Sequence, residues 1–238
     1  MTPPKAALLA NVAAALIAVT GAPAVALAAD AAHPLVLELF QSQGCSSCPP
    51  ANANVIALAD RPDILALSFG VTYWDQLGWK DTFASPLYTD RQWQYAHGLG
   101  HADIFTPQVV INGRRDGVGV DPRELRGLIA AGERGVGGPA LARLGAAVTV
   151  SAAAAPARPA DVWLVRYDPR VELVPIKRGE NGGKTLPHRN VVKQLIRLGD
   201  WTGGAKRLSL PPAPDADWRT AVLVQSPGGG PILAAARL

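Results

Sequence analysis

The sequence holds two cysteines in 238 residues, a single methionine, and one charged residue, Lys5, ahead of Asp30. Each scarcity narrows the function. Two cysteines three positions apart, Cys45 and Cys48, exclude the multi-bridge framework that holds small secreted domains together. The only methionine is Met1, so there is no Met-rich surface to favour copper(I) handling. Aromatic residues are 6% of the chain, and Lys and Arg are scattered rather than clustered. Neither a nucleic-acid footprint nor a membrane-surface footprint is therefore expected.

The N-terminus explains where charge is missing. Lys5 is followed by an Ala/Leu/Val stretch from Ala6 to Ala28, broken by Gly21 and Pro23, and Ala26-Leu27-Ala28 supplies an A-x-A exit. A basic tip, an apolar run and small residues predict a signal peptide over residues 1–28, with a mature chain from near Ala29. The alternative, an uncleaved anchor, is disfavoured by the helix breakers and the A-x-A site. No later stretch is apolar enough to span a bilayer. The expected location is periplasmic or secreted, with no membrane partner after cleavage. The chain carries 23 basic and 19 acidic residues; losing Lys5 leaves 22 against 19, or +3, a mildly basic solvated surface.

In an oxidising compartment a bridge between Cys45 and Cys48 would close almost no loop. Stabilisation by loop closure grows with loop length, so the pair is poorly placed as a staple. Chemistry is the better explanation.

Residues 33–135 read as an α/β domain. Leu35 to Phe40 is a buried strand carrying Glu38, and Cys45 onward opens a helix that tolerates Pro49 and Pro50 in its first turn. Ile64 to Val71 is a second strand, Ser85 to about Leu99 a second helix, and Val109 to Ile111 a strand turned by Asn112-Gly113. Asp116 to Val120 would pair with it. Asp121-Pro122, with Glu124 three residues after the cap, starts a last helix to about Arg134. The order β-α-β-α-β-β-α predicts a mixed sheet flanked by helices. Gly135 to Pro139 marks a boundary, and short strand-like runs beyond it predict a small all-β, sandwich-like domain over 139–238. Those runs are Ala146–Ala153, Asp161–Tyr167, Val171–Lys177, Ala205–Leu210, Ala221–Gln225 and Ile232–Arg237.

A CxxC spacing occurs in redox and in metal sites. Following a buried strand and opening a helix favours the redox reading, because a helix N-terminus stabilises the reactive thiolate. Cys45 is then the attacking thiol and Cys48, one turn along, the resolving one. Thr106-Pro107 lies just before the third strand. Taken together these features resemble the thioredoxin superfamily over residues 35–134. In that superfamily the proline before the third core strand is cis and lies against the CxxC, which implies that place for Pro107, with Thr106 presenting its backbone to a bound partner.

A closer resemblance spans nearly the whole mature chain. The strings Leu37 to Ala51, Tyr73-Trp74-Asp75, Gly78 to Asp81, Thr106-Pro107-Gln108, Arg178-Gly179-Glu180-Asn181 and Asn190-Val191-Val192 are similar to a bacterial family filed as a domain of unknown function, number twelve twenty-three. The resemblance implies a secreted thioredoxin-like domain with an attached β domain, and no substrate.

Departures from ordinary thioredoxin carry their own expectations. Gly44, not tryptophan, precedes Cys45, and Ser46-Ser47 replaces Gly-Pro, offering hydroxyl and N–H donors that would lower the Cys45 pKa. Val71 to Ser85 is an insertion that puts Trp74, Asp75, Trp79, Lys80 and Asp81 on a loop expected to cap the site, where Trp74, Asp75 and Trp79 are candidate substrate contacts against the alternative of plain loop packing or an Asp75–Lys80 pair. Glu38 is a candidate proton shuttle to Cys48, against the alternative of a strand carboxylate facing outward or paired with a base such as Lys80. His97 and His101, at i and i+4, are an unconvincing metal pair because Gly98 and Gly100 weaken that helix. Gly179 to Gly183 reads as a turn in the β domain.

The function expected is a thiol–disulfide oxidoreductase acting on protein or small-molecule thiols and disulfides with a periplasmic redox partner. It needs no cofactor or metal beyond the Cys45–Cys48 disulfide. The alternatives are a non-enzymatic binding module with a permanent disulfide and a copper(I) metallochaperone.

Overall fold

The computed structural model describes Met1 and residues 28–238; the expected signal peptide lies outside the described residues except for its two end positions. The first half follows the predicted order. Strand β1 (Leu35–Gln41) leads to helix α1 (Cys48–Leu58), β2 (Ile64–Gly70), α2 (Pro86–Leu99), β3 (Gln108–Ile111), β4 (Arg115–Gly117) and α3 (Pro122–Ala131). Helix α1 starts at Cys48, so Cys45 belongs to the turn ahead of it. β1 pairs parallel with β2 and antiparallel with β3. Asn112 (φ 49°) and Gly113 (φ 61°) both take positive φ in the three-residue loop, 112–114, that turns β3 into β4.

β1 is buried along its whole length because it is covered on both faces. Alternate residues of a strand face opposite sides. Leu35, Leu37 and Leu39 pack with Ala51 and Val55 of α1 and Leu125 of α3. Val36 and Phe40 pack with Tyr88 and Tyr95 of α2. Glu38 shares the second face.

The C-terminal strands are β5 (Leu141–Leu144), β6 (Ala147–Val150), β7 (Ala160–Asp168), β8 (Glu172–Pro175), β9 (Thr185–His188), β10 (Val191–Trp201), β11 (Lys206–Ser209), β12 (Arg219–Gln225) and β13 (Ile232–Arg237). Four of them extend the first sheet into one of eight strands, ordered β13-β12-β7-β10-β2-β1-β3-β4. The seam is a parallel contact of Val191 with Ser68, fastened by Ser68 N–H to the Asn190 carbonyl at 3.0 Å and Asn190 Nδ2 to the Ala66 carbonyl at 2.8 Å. The large sheet thus runs on across the boundary expected at residues 135–139. The reason is that β2 would otherwise leave an unpaired edge in the middle of an apolar layer. A smaller sheet, β11-β6-β5, covers the far end, where Val148 and Val150 meet Val162, Leu164, Val222 and Val224 in two stacked β layers. The hairpin β8-β9 stands apart and leans on α1, with Asn52 Nδ2 donating to the Pro187 carbonyl at 2.6 Å.

Candidate functional site

Cys45 and Cys48 are joined by a disulfide across the turn that enters α1. The turn is closed by Cys45 N–H to the Ser42 carbonyl (3.1 Å) and Cys48 N–H to the Cys45 carbonyl (3.2 Å). Ser47 is the N-cap residue but makes no capping bond with its side chain. Its Oγ lies 3.3 Å from Cys45 Sγ and 3.5 Å from the Thr106 carbonyl oxygen. That second contact sets the Thr106-Pro107 peptide, which is cis, beside the disulfide. Cys45, Cys48, Thr106 and Pro107 are therefore brought together.

Both sulfur-bearing residues are covered: Cys45 is 0% and Cys48 1% exposed. A thiol partner reaches neither without movement of the cover. Part of the cover is the 71–85 segment, expected from the sequence to be an insertion. Trp74 donates from Nε1 to Thr106 Oγ1 at 2.7 Å, and its Cβ lies 3.5 Å from where a side chain on Gly44 would begin, which places it against the turn. Trp79 Nε1 donates to Gln43 Oε1 at 2.9 Å. Asp81 accepts the Gln43 N–H at 2.7 Å and the Phe83 N–H at 2.7 Å, and burial raises its carboxyl pKa against those bonds. Asp75 accepts the Asp81 N–H at 3.0 Å and does not pair with Lys80. The insertion is thus tied to the loop before Cys45 through Gln43.

The rest of the cover comes from the loop between β8 and β9, which sequence reasoning placed in the β domain with no link to the cysteines. Asn181, fully buried, donates from Nδ2 to the carbonyls of Gln43 (3.0 Å) and Cys45 (2.9 Å). Glu180 accepts the Ser46 N–H at 3.0 Å. The one advance signal was the string Arg178 to Asn181, which carried family resemblance but no stated role.

Glu38 is not brought to the cysteines. It faces α2, where Arg91 grips it through Nε (2.9 Å) and an Nη (3.1 Å), and Tyr95 donates its hydroxyl to the same carboxylate. Its partner is Arg91 rather than Lys80. The polar groups behind α1 are instead Gln41, Asn52, Ser68 and His188: Gln41 Nε2 donates to Asn52 Oδ1 (3.1 Å) and Ser68 Oγ (2.7 Å) and lies 3.5 Å from His188 Nδ1. Burial pushes the His188 pKa down to about 4, with Lys193 adding to the effect. His101 is bound to Asp116 (2.8 Å) and His97 lies tilted against Trp93 with ring centres 5.7 Å apart. Among the described residues no cluster of three metal-ligating side chains occurs.

Comparison with known proteins gives a consistent picture. The family described as protein of unknown function (DUF1223) matches residues 36–225. A crystal structure of a protein from Agrobacterium tumefaciens is similar at 31% identity and a TM-score of 0.72, covering 88% of this chain and 94% of that one. HBP35 of Porphyromonas gingivalis shares the fold at 14% identity and a TM-score of 0.58, over 87% of this chain and 74% of its own. No curated protein matches the chain.

Proposed function

The chain belongs to the DUF1223 family, and on that premise we propose that it is an exported thiol–disulfide oxidoreductase whose Cys45–Cys48 pair cycles between disulfide and dithiol. One observation carries the reading: the two cysteines of the chain are bonded to each other at the entrance of α1, with Thr106-Pro107 alongside. In the reductive direction a partner thiolate attacks one sulfur, the bond between Cys45 and Cys48 breaks, and a mixed disulfide forms. The partner's second thiol then resolves it, so that two electrons and two protons move to the cysteines and the partner leaves as a disulfide. The reverse reaction begins with Cys45 attacking a partner disulfide, and Cys48 resolves it. Because both sulfurs are covered, the Trp74 side of the insertion is the part of the cover that a bound partner displaces or packs against, with Asp75 and Trp79 beside it. The leader-like N-terminus supports a periplasmic setting, where thiol and disulfide partners are available.

The test is turnover in an insulin-reduction or dithiol-oxidation assay. Wild type is expected to be active and Cys45→Ser to fall to the uncatalysed rate; equal rates would refute the proposal. The complete burial of both cysteines favours a second reading, a binding module with a permanent disulfide. That reading predicts no difference between the two proteins.

A further inference from the structure

The exchange reaction leaves the Arg178-Gly179-Glu180-Asn181 loop without a part to play. Its geometry is specific. Gly179 (φ 75°) and Gly183 (φ 83°) turn the chain with positive φ, which glycine adopts without steric cost. Asn181 clamps the loop to the carbonyls of Gln43 and Cys45, and Lys184 Nζ fixes its Oδ1 at 2.9 Å. The clamp delivers the Glu180 carboxylate to the Ser46 N–H, one residue from Cys45, and hydrogen bonding from the Ser46 side chain first, then from its N–H, holds the Glu180 carboxyl below the usual range.

The turn is poor in donors. A thiolate at the head of a helix is stabilised by free N–H groups and by positive surroundings. Pro49 and Pro50 have no N–H, the Cys48 N–H is given to the Cys45 carbonyl, and the Ser46 N–H is given to Glu180. Among the described residues the polar group in contact with the sulfur is the Ser47 hydroxyl, 3.3 Å from Cys45 Sγ. Ser46 therefore gives its N–H to a negative charge, and of the Ser46-Ser47 pair Ser47 is the residue left to serve the sulfur.

We propose that Glu180 is a positioning residue that holds the Cys45–Cys48 couple toward its disulfide form; the proposal rests on the redox reading above. Reduction by a dithiol breaks the S–S bond, transfers two electrons and two protons, and leaves Cys45 as thiol or thiolate. A carboxylate beside Cys45 opposes the thiolate, destabilises the reduced protein and lowers the reduction potential. Stabilising the reduced form has the opposite effect, and it is what makes a disulfide strongly oxidising. Glu180 sets how oxidising this site is, from a loop about 135 residues away in the chain.

The experiment equilibrates full-length mature protein with glutathione redox buffers, counting thiols by alkylation, and titrates the Cys45 thiolate by its ultraviolet absorbance. Glu180→Gln is expected to shift the dithiol–disulfide equilibrium toward the dithiol about fivefold, which is about 20 mV for a two-electron couple. It should also lower the Cys45 pKa, and salt near about 1 M should shrink the difference, since the screening length there is about 3 Å. Asn181→Ala, which frees the loop but keeps the charge, should shift the equilibrium the same way and less far. If wild type exchanges with glutathione but Glu180→Gln has the same equilibrium and the same Cys45 pKa, the Glu180 proposal is overturned and the redox reading stands. If no protein exchanges, wild type included, the redox reading itself fails and takes the proposal with it.

Discussion

Arg91→Met, with Glu38 retained, is expected to lower the unfolding free energy by about 3–5 kcal/mol, the usual cost of stranding one member of a buried ion pair. The pair is among the most enclosed in the protein: the side chains of Arg91 and Glu38 are 3% and 1% exposed. Two bonds join them, Arg91 also donates to the Tyr95 hydroxyl at 2.9 Å, and the guanidinium lies 5.0 Å from the Tyr95 ring and 5.7 Å from the Trp163 ring. Removing the cation leaves a buried carboxylate whose remaining side-chain partner among the described residues is the Tyr95 hydroxyl. The double variant Glu38→Leu/Arg91→Met should recover most of the loss, because replacing a buried pair by apolar groups of similar size is often neutral or stabilising. Tyr95 would keep Gln225 Nε2 as a partner at 3.1 Å. Urea unfolding with the disulfide intact checks both. A single-variant cost under about 1 kcal/mol, or a double variant no better than the single, would show that the pair is not held as tightly as the geometry indicates.

Stability should also fall as pH drops from about 6.5 toward 4, through His188. Its imidazole is 3% exposed, lies edge-on to Phe83 with ring centres 5.4 Å apart, and has no partner for Nε2 among the described residues. Burial, with Lys193 nearby, lowers its folded pKa to about 4 from an unfolded value of 6.5. Between those values the unfolded chain binds a proton that the folded chain refuses, so stability decreases with falling pH. The whole span corresponds to about 3 kcal/mol at about 1.4 kcal/mol per pKa unit. Asp81, whose carboxyl is raised by burial, titrates in the opposite sense and offsets part of the slope. His188→Gln removes the His188 contribution alone. Denaturation midpoints at pH 6.5 and pH 4.5 should lie closer together in that variant than in wild type; an unchanged gap would mean that His188 is solvated or protonated in the folded state.

Much of the first half was legible from local chemistry. A buried apolar run before CxxC, prolines confined to a first turn, Asn112-Gly113 and the Asp121-Pro122 cap each specify an element by themselves, and each element is found. The longest strand, β10, was not foreseen. Its pairing with β7 is interrupted by irregularities between Val192 and Gln194 and between Arg197 and Gly199, which scramble the alternation that marks a strand. Missing β10 concealed the seam with β2, and with it the single sheet that carries both halves. Glu38 shows a second limit. A strand residue's face depends on which helix covers which side, so the sequence could place a carboxylate on β1 without telling α1 from α2. Glu180 and Asn181 were hidden by distance, since a loop reaching a site across more than a hundred residues leaves no spacing to read.

The central claim is that Cys45 and Cys48 form a working redox couple, and the most direct test is its reduction potential. Mature protein equilibrated with graded dithiol–disulfide buffers should pass from disulfide to dithiol at a potential above about −300 mV, the level below which structural disulfides of secreted proteins typically lie. A couple that stays oxidised to below about −300 mV would contradict the account and make the bond a fixed part of the fold.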